Sequence, residues 1–321
     1  MMADAQTNRN FPWGHQRRYN DFPTFFRRKF NERVQKISID AGFTCPNRDG
    51  SRGTGGCTYC NNKTFKPTYC HLENSITDQL EKGIEFFARK YEAMKYLAYF
   101  QAYSNTYAPV EDLRNLYSEA LAHPGVIGLV IATRPDCLDN KILDHLQELS
   151  EKYYIMVELG IESVLNHTLK AINRGHVWEE SVRALEETSK RGIHNCAHMI
   201  LGLPGESTND LLKQAEIISQ LPVENLKLHQ LQIHKGTVMA KQYAETPEMF
   251  HLFSIEEYRE LVVDYLERLN PQIIVERFVS SAPADLLIAP RWGLKNFEFV
   301  AKVEKRLEER NTWQGRLFRK D

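Results

Sequence analysis

Seven short apolar runs, separated by six amphipathic stretches, organise most of this 321-residue chain. The runs start at Val34, Lys95, Val126, Tyr153, His194, Asn225 and Ile273, and the stretches between them cover 75–93, 110–122, 140–152, 178–191, 207–220 and 255–269. The former have strand length; the latter carry apolar residues at helical spacing. Ser75 and Ser207 stand where a helix N-cap belongs, because a serine hydroxyl accepts from the orphan amides of a first turn. Strand and helix alternating about six times predict a parallel sheet with helices outside it. The expected fold is therefore α/β, a partial (β/α)6 TIM-like barrel, and the length permits one such domain. Flanking it, we expect an N-terminal basic and aromatic arm at 1–33 and a C-terminal helical extension at 291–321, with the barrel at 34–290.

Chemistry in such barrels gathers at the C-terminal ends of the strands. The segment after the first run is "AGFTCPNRDGSRGTGGCTYCNN", which holds Cys45, Cys57 and Cys60 in a C-x11-C-x2-C spacing. The ends of later runs, "QAYSNTY", "TRPD", "ELGIES", "LGLPGE" and "QIHKGT", are expected to face the same cavity. The N-terminus has no apolar signal core and no apolar run has the length of a membrane span. We therefore expect a soluble, cytoplasmic protein without a membrane partner. Clustered thiols in that setting point to metal or redox chemistry rather than disulfides. A net charge of -1 gives no global sign of nucleic-acid binding, so any such site has to be a local patch.

Thiolates are soft ligands suited to zinc or to iron–sulfur clusters. Zinc would need a fourth ligand, which Cys70 or His71 offers, so a non-catalytic zinc-knuckle RNA-binding protein stands as an alternative. Three features oppose it: there is no second C-x2-C pair, the loop sits at the catalytic face, and Tyr59 directly precedes the last cysteine. With these features the chain resembles the radical S-adenosylmethionine (SAM) superfamily, in which three cysteines hold a 4Fe-4S cluster and SAM binds the open iron. The usual first gap of three residues is much longer here, as in the branch that includes the catalytic subunit of Elongator, a tRNA-modifying enzyme. Together, "QAYSNTYAP", "ATRPDCL", "VELGIES" and "NRGH" look like the YhcC/YtqA-type subgroup.

That resemblance implies a radical SAM barrel, Cys45, Cys57 and Cys60 as metal ligands, and reductive cleavage of SAM to methionine and a hydrogen-abstracting 5′-deoxyadenosyl radical. Tyr59 would pack on adenine, and Ile200 and Gly202 match a superfamily motif on the fifth strand whose backbone contacts adenine. His198 and Glu206 depart from that motif. Gln101 and Ser104 stand where many members have Gly-Gly-Glu, and would receive the SAM amine or the substrate. Glu158, pointing inward by strand alternation, would bind the ribose hydroxyls or the amine, with a structural ion pair as the alternative. Arg134, Arg174 and His176 would bind the SAM carboxylate or an anionic substrate, with capping or surface pairing as the alternative. His229, Gln230 and His234 read as substrate hydrogen-bonding or packing groups, and Cys70, Cys137 and Cys196 as scattered free thiols.

The arm interleaves Arg27, Arg28 and Lys29 with Phe22, Phe25, Phe26 and Phe30. Cations hold phosphates and aromatic rings stack on bases. The alternative is an amphipathic helix covering the bottom of the barrel, its phenylalanines buried and its cations solvated. The branch and the arm together favour tRNA as partner, with conversion of a carboxymethylaminomethyl group on the wobble uridine to aminomethyl as the implied step. A small-molecule or peptide substrate is the rival, and an external reductant such as flavodoxin or ferredoxin is implied. No acetyltransferase-like domain is expected after the barrel, unlike in the Elongator subunit, which weakens the transfer of that subunit's own reaction.

Overall fold

The computed structural model describes residues 11–65, 67–89 and 94–320. All seven expected strands form: β1 (Val34–Ile39), β2 (Lys95–Phe100), β3 (Val126–Thr133), β4 (Tyr154–Glu162), β5 (His194–Leu201), β6 (Asn225–Gln230) and, after a short β7 (Ile233–His234), β8 (Ile274–Arg277). Apart from β7 they pair in parallel, in the order β1-β2-β3-β4-β5-β6-β8. A flat seven-stranded sheet would hold its edges about 29 Å apart, at about 4.8 Å per strand. Here Lys36 on edge strand β1 donates to Glu276 on edge strand β8 at 2.7 Å. The sheet is therefore curled into a partial barrel whose inward side chains meet across the interior.

Helices α2 (Ile76–Ala88), α3 (Val110–Leu121), α4 (Asn140–Ser150), α6 (Trp178–Lys190), α7 (Thr208–Gln220) and α9 (Ile255–Arg268) fill the six expected intervals, with a short α5 (Asn166–Ala171) preceding α6. Residues 90–93 of the first interval lie outside the described residues. In α3 the buried positions are Leu113, Tyr117, Ala120 and Leu121, the spacing that lays one apolar stripe against a sheet. Ser75 and Ser207 accept from the amides of Asp78 and Asp210, whose carboxylates return the bond. Each such capping box is worth about 1 kcal/mol.

At the N-terminal ends of the strands the arm forms α1 (Phe22–Phe30), capped by Asp21, which accepts from the Thr24 amide at 3.0 Å. Phe26 is 2% exposed and packs with Leu97, Val130, Tyr154, Met156 and Cys196. The amphipathic helix is realised: α1 plugs the bottom of the barrel, which leaves its exposed cations free for either role. Arg27, Arg28 and Lys29 are exposed on its last turn, a strand length from the cysteine loop. Beyond β8, β9 (Leu287–Ala289) pairs antiparallel with β7 as a separate ribbon, and α8 (Val238–Glu245) follows β7. The expected C-terminal extension is α10 (Asn296–Glu309), after which Gln314 folds back to accept from the Asn20 amide at 2.9 Å. Among the described residues no helix is long and apolar enough to cross a membrane.

Candidate active site at the barrel mouth

A cavity of about 700 Å³ opens at the C-terminal end of the barrel, and Cys45, Cys57 and Cys60 all line it as free thiols. Neighbouring segments hold their loop in place. Asn47 Nδ2 donates to the Asn173 carbonyl at 2.5 Å, Asn173 Nδ2 to the Gly56 carbonyl at 2.8 Å, and Asn61 Nδ2 to the Lys235 carbonyl at 2.8 Å. Donors also reach the sulfurs: Asn47 Nδ2 and Arg174 Nη1 stand 3.6 and 3.5 Å from Cys57 Sγ, and Asn62 Nδ2 stands 3.6 Å from Cys60 Sγ. Burial, followed by the nearby Cys57, pushes the Cys60 thiol up to about 11, while Arg48 and Arg174 pull the other way. Such donors and cations are the outer shell that thiolate ligands need.

The donor set discriminates between metals. Thiolates on one zinc ion, at about 2.3 Å each, lie about 3.8 Å apart. Among the described residues these three sulfurs do not gather within 4.8 Å of one another. Cys70 donates its thiol to the Ser38 carbonyl at 3.0 Å, and His71 is exposed. Three separated thiolates with no fourth partner fit a cluster in which each binds a different iron. Glu158, Cys196 and His198 do gather within 4.8 Å, but two ammonium groups already contact that carboxylate and would repel a cation.

Those groups form the cavity floor. Glu158 Oε1 accepts from Lys36 Nζ at 2.7 Å and from Lys227 Nζ at 2.6 Å; Oε2 accepts from Tyr99 OH at 2.6 Å and lies 3.0 Å from His198 Nε2. Glu276 completes the network through the same two lysines. Glu158 does point inward, as alternation predicts, but its roughly four acceptor positions all face protein groups. Its geometry is that of a floor residue. Lys36, Tyr99, Lys227, Glu276 and Arg277 were missed in the sequence reading. Their signal was available as charged or phenolic residues within strands that should be buried on both faces.

Arg134, Arg174 and His176 come together beside the cysteine loop. Arg134 is spent on structure: two bonds of 2.9 Å reach Asp136, and Nη1 donates to the Arg174 carbonyl at 2.7 Å. Arg174 donates to the Gly160 carbonyl and faces Glu162 at 3.8 Å as well as Cys57. Burial, then Arg174 and Arg134, lower His176 to about 3, so its ring is neutral.

Of the residues matched to SAM, Tyr59 and Ile200 share one apolar cluster and line the cavity together. Gln101 lines it too, donating to Ser38 Oγ at 2.7 Å, as does the buried Ser104. Between them Ala102 and Tyr103 have φ of 71° and 63°. This is left-handed backbone, costly for side-chain-bearing residues, at the place where many superfamily members carry two glycines. Gly202 has a conformational requirement of its own. Its φ is +98°, and an added Cβ would stand 2.9 Å from Phe253, on a side that does not line the cavity. Glu162, at φ 73° beside a bulge in β4, does line it.

A curled parallel sheet with three cysteines at its mouth is the signature of one superfamily, and the family comparisons agree. The Radical SAM superfamily model matches residues 48–217 and the Radical_SAM C-terminal domain model residues 223–309. The chain belongs to the radical SAM superfamily, whose cofactors are a 4Fe-4S cluster and SAM. Within it, the chain is 37% identical to uncharacterized protein YtqA of Bacillus subtilis, over 98% of this chain and 97% of that one. It is 26% identical to a tRNA uridine(34) acetyltransferase of Methanocaldococcus infernus, over 57% of this chain and 34% of that one. Its fold matches the archaeal Methanocaldococcus infernus Elp3 with a TM-score of 0.67 at 17% identity, covering 88% of this chain and 64% of that one. The likeness to YtqA is a family likeness along nearly the whole chain, and the likeness to Elp3 is one of fold.

Proposed function

We propose that the protein is a tRNA-modifying radical SAM enzyme acting on the wobble uridine, converting a carboxymethylaminomethyl substituent to aminomethyl. The observation that carries this reading is the likeness to a tRNA uridine(34) acetyltransferase over 57% of this chain. A bound 4Fe-4S cluster would supply the electron for reductive cleavage of SAM. Cys45, Cys57 and Cys60 would hold that cluster, drawing on an external donor such as flavodoxin or ferredoxin.

The chain's own residues have four tasks. Asn47, Asn62 and Arg174 turn donors toward the thiolates. Tyr59 and Ile200 offer an apolar wall for adenine, and Gln101, Ser104 and Glu162 offer polar groups at the level of the cofactor. The floor of Lys36, Glu158, Lys227 and Glu276 closes the cavity below, leaving its open side for a flipped nucleotide. Plugged beneath by α1, the cavity excludes water from that end. Arg27, Arg28 and Lys29, at the closed end, would meet only parts of a tRNA remote from the reacting base.

Anaerobically reconstituted protein, SAM, a reductant and tRNA bearing the carboxymethylaminomethyl group test the proposal. Formation of 5-aminomethyluridine, 5′-deoxyadenosine, methionine and glyoxylate is expected: SAM acts as the two-electron oxidant of the methylene beside the nitrogen, and water hydrolyses the resulting imine so that the two carbons leave as glyoxylate. SAM cleavage with an unaltered tRNA would move the substrate to the small-molecule or peptide class.

A further inference from the structure

The cavity is lined by six lysines and arginines: Lys36, Arg48, Arg134, Arg174, Lys227 and Arg277. Five are engaged. Lys36 and Lys227 share Glu158 and Glu276, Arg134 grips Asp136, Arg174 faces Glu162, and Arg48 donates to the Cys60 carbonyl at 3.2 Å. Arg277 is different. Among the described residues it has no carboxylate and no hydrogen-bond acceptor, yet it is exposed to the cavity. Its position comes from the strand. The β6–β8 ladder slips by one residue between Leu226 and Lys227, so Lys227 pairs with Arg277 rather than Glu276. A bulge of this kind re-aims a side chain, and here it turns both Glu276 and Arg277 to the cavity. Glu276 is consumed by the two lysines, which leaves Arg277 beside Lys227 with nothing to balance it. His229 also lines the cavity; burial, then the charges of His198 and Arg277, lower its pKa well below the usual imidazole value, and its Nε2 is buried without a partner among the described residues. Its ring stacks 5.6 Å from that of His198.

We propose that Arg277 and His229 form an anion subsite in the cavity wall that holds the carboxylate of the substrate. A guanidinium presents a planar fork that matches a carboxylate, and an imidazole N–H adds a third donor. The inference rests on the proposed tRNA reaction: there the terminal carboxylate of the carboxymethylaminomethyl group is the anion, and gripping it fixes the adjacent methylene relative to the cysteine loop. The product lacks that carboxylate, so the same subsite favours its release.

Two measurements on reconstituted full-length protein test this. The first reads the subsite alone, by phenylglyoxal labelling of Arg277 followed by peptide mass spectrometry. N-acetylglycine is expected to slow labelling of Arg277 severalfold, and inorganic phosphate to do so less. Protection by neither probe overturns the subsite; protection by phosphate alone assigns it to a backbone phosphate and overturns the carboxylate. Protection by SAM alone assigns Arg277 to the methionyl carboxylate and also overturns the proposal. The second reads affinity for an anticodon stem-loop bearing 5-carboxymethylaminomethyluridine against one bearing 5-aminomethyluridine. Wild type should prefer the former about tenfold, the worth of one charge-assisted contact. Arg277→Gln should lose that preference while keeping SAM affinity within about twofold. An undiminished preference in Arg277→Gln contradicts the proposal. If N-acetylglycine protects Arg277 but neither stem-loop binds, the subsite stands and the tRNA reading falls.

Discussion

Glu158 is fully buried, and it stays ionised because Lys227 and Lys36 outweigh the burial that alone would raise its pKa. Removing one partner from a buried ionic network typically costs about 3–5 kcal/mol. Glu158→Ala should therefore destabilise the apo protein on that scale in denaturant unfolding; unaltered stability with lost SAM binding would return it to the cofactor. Glu206 works in the opposite sense. Burial raises its carboxyl to about 7, and it accepts from Ser163 at the turn before α7. A carboxyl whose folded pKa exceeds its unfolded value stabilises below the unfolded pKa and loses that contribution as pH rises through the folded one. Wild-type stability should thus fall between about pH 4.5 and 7, whereas Glu206→Gln should show a flatter profile and be the more stable at pH 8. Identical profiles would contradict the assignment. At the metal, Cys45→Ser, Cys57→Ser and Cys60→Ser should each lose iron, whereas Cys137→Ser and Cys196→Ser should keep about four irons per chain. Stoichiometric zinc in place of iron would sink the cluster. The cysteines were legible because their spacing is local. The floor was legible only residue by residue, as charged groups within buried strands; that Lys36, Glu158, Lys227 and Glu276 meet was not, since they come from four strands and are joined only by the curl of the sheet.

Among the elements, the strands and long helices were readable because each carries its own period and caps. Short pieces such as α5, β7 and β9 span too few residues for a period to register. For α1 the sequence left two readings, because the same pattern of phenylalanines and cations suits a plug and a nucleic-acid arm; tertiary contact with Tyr154 and Met156 decides the buried face. Phe26→Ala should cost about 3–5 kcal/mol, as truncation of a buried phenylalanine does. The exposed cations are a separate question. Arg28 donates to the carbonyls of Trp13 and Gly14, and Lys29 lies 5.2 Å over the Tyr154 ring. Replacing Arg27, Arg28 and Lys29 with alanine should lower the salt dependence of tRNA binding, by about one phosphate contact per cation lost. SAM cleavage without substrate should persist, since the cysteine loop is untouched. An unchanged salt slope would confine these cations to anchoring the arm.

Across the whole molecule, the barrel sets two ends with different duties: a mouth that carries thiols, polar groups and an unpaired arginine, and a bottom closed by α1 and the returning C-terminal segment. The family likeness fixes the chemistry, whereas the substrate rests on the branch and on the shape and charge of the cavity. The most direct measurement of that account is the nucleoside profile of tRNA from cells lacking the protein, and from the same cells supplied with wild type or Cys45→Ala. Wobble 5-carboxymethylaminomethyluridine should accumulate in the deletion and with Cys45→Ala, wild type should restore the normal nucleoside, and the rest of the profile should be unchanged. A tRNA profile that is the same in all of these cells would contradict that account.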